Sequence, residues 1–135
     1  MSIEIKNCMT LKSVEVGDTV YMRPTGNARF WHSKEKLVRG IVTKIGRKYF
    51  MVDRGIDGIR NQCVERFTID GAECVNDDNY GYILYSSEEE FARDTERDQM
   101  FSEIRKYFGQ SFRKKDPSYD AISKIYQIMK GENLL

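Results

Sequence analysis

The chain has 135 residues, 40% of them hydrophobic and 32% charged, with 22 Lys and Arg against 21 Asp and Glu. This is enough apolar content for one hydrophobic core and too little chain for two, and the near-neutral balance leaves collapse unopposed, so a single domain spanning residues 1–135 is expected. No apolar run approaches the roughly 20 residues of a membrane span, and Met1 to Lys12 lacks the apolar centre of a secretory signal, which places the protein in the cytoplasm.

The first half of the chain reads as strands. Val16-Gly17-Asp18 is a turn leading into the β-rich run Thr19 to Met22, which Pro24 should end because proline cannot donate to a ladder. From Arg23 to Leu37, with Pro24, Gly26, Asn27 and Ser33 and no clean periodicity, a long surface loop is expected; it carries Trp31 and His32, the only tryptophan and histidine. Val38 to Ile45 and Lys48 to Val52 then flank Gly46-Arg47, the pattern of a two-residue hairpin with glycine first. Pairing Ile45 with Lys48 sets Thr43 opposite Phe50 and Ile41 opposite Val52 on the core face. It leaves Val42, Lys44, Tyr49 and Met51 on a partly exposed face, an aromatic ring beside a cation.

A second hairpin follows, with Phe67 to Ile69 and Ala72 to Cys74 around Asp70-Gly71, so that Phe67 faces Cys74 and Ile69 faces Ala72. Tyr80 to Tyr85 is the last strand. Ser86 and Ser87, each followed three residues later by a glutamate, start a helix with an acidic first turn, and Gly109 stops it. Phe91, Phe101, Ile104, Tyr107 and Phe108 supply its apolar stripe, while Asp94 to Gln99 is polar enough that the middle must be solvated or broken. Asp116-Pro117 caps a second helix, with Tyr119, Ile122, Ile125, Tyr126 and Met129 at helical spacing and Gly131 at its end. Strands followed by helices argue for an α+β fold: a small twisted β-barrel of about five strands over residues 1–85, then a helical hairpin over 86–131 packed on it.

Charge is uneven. Residues 1–70 hold 13 Lys and Arg against 8 Asp and Glu, whereas residues 71–135 hold 9 against 13. The excess sharpens between Thr19 and Arg54, where nine basic residues meet only Glu35 and Asp53, so an electrostatic site belongs there. Cys8, Cys63 and Cys74 are odd in number and lack the two-residue spacing of zinc ribbons or redox motifs, and free, partly buried thiols are expected.

The runs Val16 to Tyr21, Pro24 to Asn27 and Val42 to Phe50, continuing through Phe67 to Gly71 and Tyr85-Ser86-Ser87-Glu88-Glu89, resemble a family of small β-barrel proteins from phages and mobile elements of Gram-positive bacteria. The resemblance implies a barrel of the SH3-like or KOW type and brings no catalytic residue with it. Arg29 to Leu37 and the basic Arg113-Lys114-Lys115 are the less family-like segments, where specificity is expected to lie.

With one histidine in a loop and three scattered cysteines, neither a nucleophile–base pair nor a metal site is expected, and no cofactor or enzymatic activity. Two binding readings remain. In the first, a protein partner or protein–nucleic-acid complex of the host meets Trp31, His32, Tyr49 and Met51, aromatics and methionine being favoured at interfaces, and the protein acts as a stoichiometric inhibitor or modulator of a defence or nucleic-acid-handling complex. In the second, the basic hairpin binds nucleic acid directly, with Lys44, Arg47 and Lys48 on phosphates, Tyr49 stacking on a base, and Arg29 and Lys34 adding charge from the loop.

Overall fold

The alternating, turn-punctuated segments form strands Ser2–Glu4 (β1), Ser13–Glu15 (β2), Thr19–Gly26 (β3), Val38–Ile45 (β4), Tyr49–Asp53 (β5), Val64–Thr68 (β6), Cys74–Val75 (β7) and Tyr80–Tyr85 (β8). The helices are Ala28–Trp31 (α1), Glu88–Phe108 (α2) and Tyr119–Gly131 (α3). These elements belong to a computed structural model that describes residues 2–32, 36–55, 64–76, 78–110 and 115–135. The chain divides into two compact units, residues 1–97 and 98–135.

In the first unit six antiparallel strands run in the order β7-β6-β5-β4-β3-β8 and curl into a nearly closed barrel, with β1 and β2 as a separate hairpin. Helices follow the barrel in the chain, so the class is α+β, with six barrel strands where about five were expected. The interior is one file of side chains per strand: Val20 and Met22 from β3, Val42 from β4, Phe50 and Val52 from β5, Phe67 from β6, and Tyr82 and Leu84 from β8, all buried. Phe50 and Phe67 are cross-strand partners whose rings stack with centroids 5.7 Å apart. Gly40 sits where strands approach closely, since a Cβ there would collide with Val52 Cγ1 and Met22 Sδ.

The first hairpin differs from the expected register. Ile45 pairs with Phe50, not Lys48, and Gly46 donates its N–H to Tyr49 O at 2.8 Å, so the turn falls on Arg47-Lys48, one residue later than expected. A bulge at Thr43 then shifts the ladder: Lys44 pairs with Met51, Val42 with Val52 and Ile41 with Asp53. One extra residue on β4 reverses the side-chain alternation at that point, which turns Val42 inward to full burial and leaves Thr43 exposed, against expectation. Phe50 and Val52 face the core as read from the sequence, and Tyr49 and Lys44 remain outside.

Pro24 does not end β3, which continues to Gly26. Pairing with β4 stops at Met22, so beyond it β3 has only β8 beside it, a one-neighboured position that tolerates proline. The expected long loop from Arg23 is therefore strand as far as Gly26 and then α1, whose Ala28 is buried. In the second hairpin Phe67 does pair with Cys74, but the positive φ angles fall on Gly71 (91°) and Ala72 (51°), and Asp70 bridges to Lys6 instead of forming the tight turn. Ser87 opens α2 by accepting the N–H of Glu90 at 3.1 Å. The polar middle of α2 is solvated and unbroken, with i,i+3 pairs Arg93–Glu90 (3.0 Å) and Arg97–Asp94 (2.6 Å) along it.

In the second unit Ser118, not Asp116, caps α3, accepting the N–H of Ala121 at 3.2 Å, so Pro117 precedes the helix instead of entering its first turn. Tyr107 donates its hydroxyl to Lys115 O at 2.7 Å. No helix among the described residues is long and apolar enough to cross a membrane.

Because the interior is so narrow, Phe50→Ala is expected to cost about 3 to 5 kcal/mol and Gly40→Ala, by overpacking, about 1 to 3 kcal/mol, both read as a lowered urea midpoint. A midpoint unmoved by Gly40→Ala would mean that β3, β4 and β5 are less tightly apposed than the Val52 and Met22 contacts at Gly40 require.

Candidate nucleic-acid interface

Strand alternation sorts the chemistry of the barrel into an inside and an outside. With Phe50 and Val52 pointing in, Tyr49, Met51 and Asp53 point out from β5, as do Arg66 and Thr68 from β6. On β4, the bulge places Lys44 opposite Met51, and Arg39, the exposed neighbour of inward Gly40, lies opposite Tyr21 of β3. Arg47 and Lys48 are exposed in the β4–β5 turn. The result is an outer face carrying Arg39, Lys44, Arg47, Lys48 and Arg66, none of which makes an ion pair among the described residues. The acid on this face, Asp53, turns Oδ1 to accept the N–H of Gly55 at 2.8 Å. Tyr49 is 37% exposed, and the Arg66 guanidinium covers its ring at 4.7 Å from the centroid. The cation beside Tyr49 is thus Arg66, its diagonal neighbour on β6, and not Lys44 as the simple hairpin register implied.

A second cluster closes one mouth of the barrel. Glu65 lies inside at 4% exposure, opposite Val52, and accepts Arg54 Nε at 3.1 Å on one oxygen and the Tyr80 hydroxyl at 3.0 Å on the other. Arg54 also sits 6.0 Å from the Trp31 ring centroid and 5.7 Å from that of Tyr82. Trp31 packs on Tyr80 with centroids 4.8 Å apart, and His32 Nε2 shares a 3.0 Å hydrogen bond with the Tyr82 hydroxyl. Burial, reinforced by the hydrogen bond to Glu65, pushes Tyr80 up to about 12. Burial likewise pushes Tyr82 to about 12, and Tyr85 reaches the same value through burial and its hydrogen bond to Asp94.

Between β7 and β8 a cleft of about 380 Å³ is lined by Cys8, Thr10, Thr25, Cys74, Tyr80 and Tyr82, among others. Burial and then the charge of Glu65 push the Cys74 thiol above its ordinary range, so it resists ionising to a nucleophilic thiolate. Cys8 and Cys74 are free thiols, and Cys63 lies outside the described residues.

The expected site residues thus fall in two places. Lys44, Arg47, Lys48, Tyr49 and Met51 gather on the outer face and its turn; Arg29, Trp31 and His32 lie at the mouth, Arg29 exposed on α1. Lys34, Arg113 and Lys114 lie outside the described residues. Arg39 and Arg54 fell within the basic strip from Thr19 to Arg54 without being singled out, and sequence reasoning missed Glu65, Arg66, Tyr80 and Tyr82 as site residues. Arg66 was within reach, because placing Phe67 inward already turned its neighbour outward. Glu65 was not, because its partners arrive from other strands.

Removing the carboxylate leaves Arg54, 17% exposed, with its buried partner gone, so Glu65→Ala is expected to cost about 3 to 5 kcal/mol in denaturant unfolding. The tyrosines give a pH test. Their folded pKa values of about 12 exceed the ordinary 10, so the stability they contribute is complete below pH 10 and lost as pH rises through 12. Melting temperatures across that window should fall, and the double change Tyr80→Phe, Tyr85→Phe should flatten the decline. An equally steep decline would assign the alkaline loss to other groups.

No curated protein and no solved structure matches this chain. A family model described as the phage ProQ C-terminal-like domain matches residues 9–133. That match takes in all six barrel strands and both long helices, so the chain belongs to the phage ProQ C-terminal-like domain family.

Proposed function

We propose that this phage-family protein is a nucleic-acid-binding module whose outer sheet face holds the phosphate backbone. The observation that carries the reading is the set of five exposed cations, Arg39, Lys44, Arg47, Lys48 and Arg66, on one outer face with the exposed Tyr49 and with no ion-pair partner among the described residues. Uncompensated exposed cations on a rigid sheet attract phosphates at no cost in broken ion pairs, and counterion release makes the attraction strongly salt-dependent. The ProQ-like family assignment is compatible with a nucleic acid as ligand. Catalysis has no part in the proposal.

A protein contact is the second reading, favoured by the second unit. Phe101, Ile104 and Phe108 of α2 and Ile122, Ile125 and Tyr126 of α3 are all exposed, more apolar surface than a solvated helix pair needs. On this reading the protein inhibits or modulates a host complex, in the cytoplasm, through that surface.

Changing Lys44, Arg47 and Lys48 together to Gln should weaken binding to a labelled oligonucleotide and lower the log–log salt slope by up to about 0.7 per lost contact on single strands or 0.9 on duplex. Unfolding should move by roughly 0.5 kcal/mol or less per substitution, these side chains being exposed. Wild-type protein that binds neither DNA nor RNA at low salt would eliminate the nucleic-acid reading and leave the protein contact.

A further inference from the structure

Trp31 is the chain's only tryptophan and stands 54% exposed at the barrel mouth. Its surroundings are built, not incidental. Tyr80 backs the indole at 4.8 Å with the rings tilted by 58°, and the Arg54 guanidinium lies 6.0 Å from the ring centroid. Both supports are held by one buried carboxylate: Glu65 accepts Arg54 Nε with one oxygen and the Tyr80 hydroxyl with the other. A ring needed only to cap the core would turn inward, whereas here a buried charge pair is spent on fixing the supports of an exposed one. The position is also apt, because Arg29 projects from the same short helix. Tyr49 lies farther along the sheet, about 13 Å from the Asp53 end of β5 at roughly 3.3 Å per residue.

Resting on the nucleic-acid reading, we infer that Trp31 is a preorganised stacking platform for an unpaired nucleobase, so that the ligand is a single strand and not a duplex. Bases inside a duplex are stacked on one another and offer no free face, while a single strand lays its bases on aromatic rings whatever their sequence. Two platforms, Trp31 at the mouth and Tyr49 with its Arg66 cover on the outer face, with Lys44 and Arg66 flanking Met51 on β5 between Tyr49 and its Asp53 end, make a track for such a strand.

The test uses the full chain and two probes, a mixed-sequence 12-nucleotide single strand and its duplex, each followed by anisotropy of a labelled copy and by the intrinsic fluorescence of Trp31 with an unlabelled one. The expected result is tighter binding of the single strand accompanied by quenching of Trp31, and little quenching with duplex. Trp31→Ala should weaken single-strand binding by roughly 5- to 150-fold, and Trp31→Phe by much less, because a ring remains to stack on. Should Trp31→Ala fail to fold, the wild-type quenching and the Trp31→Phe affinity still decide the matter. Single-strand binding with unchanged Trp31 emission and full affinity in Trp31→Ala overturns the stacking role while leaving the nucleic-acid reading intact, as does duplex binding equal to single-strand binding. Absence of binding to either probe overturns the reading beneath it as well.

Discussion

Tyr80 donates a hydrogen bond to Glu65 across the one seam of the barrel where two neighbouring strands share no ladder among the described residues. A six-stranded sheet has two edges, and each edge exposes backbone groups that must be paired, covered or blunted. Here β7 is only two residues long and shares no ladder with β8 among the described residues, and side chains together with the segment before β2 do the stitching. Asn76 Nδ2 donates to Tyr80 O at 2.8 Å and Thr10 Oγ1 to Leu84 O at 2.6 Å, while Ser86 N donates to Thr10 O at 3.0 Å. The segment before Thr10 reaches the other side of the seam, where Gly71 N donates to Lys6 O at 2.7 Å. Closure brings β6 and β8 near enough for Glu65 and Tyr80 to meet, and their meeting holds Arg54 and Trp31 in place. The mouth cluster is therefore a product of closure, and its exposed ring is as well fixed as the seam itself.

Local chemistry was legible and non-local chemistry was not. The Phe67–Cys74 pairing, the strand Tyr80–Tyr85, the Ser87 start of α2 and its stop at Gly109 all follow from signals within a few residues, and the structure has each of them. The Thr43 bulge leaves no such mark. Val38 to Ile45 alternates well enough to place either Val42 or Thr43 inward, and the inward place opposite Val52 goes to Val42, which buries no hydroxyl there. Glu65 is the extreme case: a glutamate in a strand reads as solvent-facing, and only Arg54 and Tyr80, from outside β6, make its burial tolerable. The candidate surface was half legible for the same reason. Its hairpin cations sit together in sequence, whereas Arg39 and Arg66 join them through pairing across the sheet.

A net charge of +1 conceals this arrangement. Several acids of the second half are placed locally in α2. Glu88, Glu89 and Glu90 occupy its first turn, where the helix dipole favours them, Glu90 and Asp94 pair with arginines one turn on, and Asp94 also accepts the Tyr85 hydroxyl at 2.6 Å. None of these carboxylates is directed at the cations of β4, β5 and β6. Bulk composition thus understates the barrel face, because the charges that cancel it in the sum lie in other segments and none of them pairs with the five cations among the described residues.

The two units carry different surfaces and face different demands. The barrel buries its core side chains internally and carries a cationic outer face, with Trp31 and Tyr49 among its exposed rings. The helices have no buried residue, and short helices owe most of their stability in proteins to packing of an apolar face, not to propensity. A capping serine at Ser118 is worth about 1 kcal/mol, too little to hold 13 residues of α3 helical unaided. The apolar stripe of Ile122, Ile125 and Tyr126 therefore has an energetic task that its own charges and cap do not perform. A protein contact made by these helices and a nucleic acid held by the barrel draw on different residues, so the two binding readings compete for no side chain and a chain doing both would need no compromise in either surface.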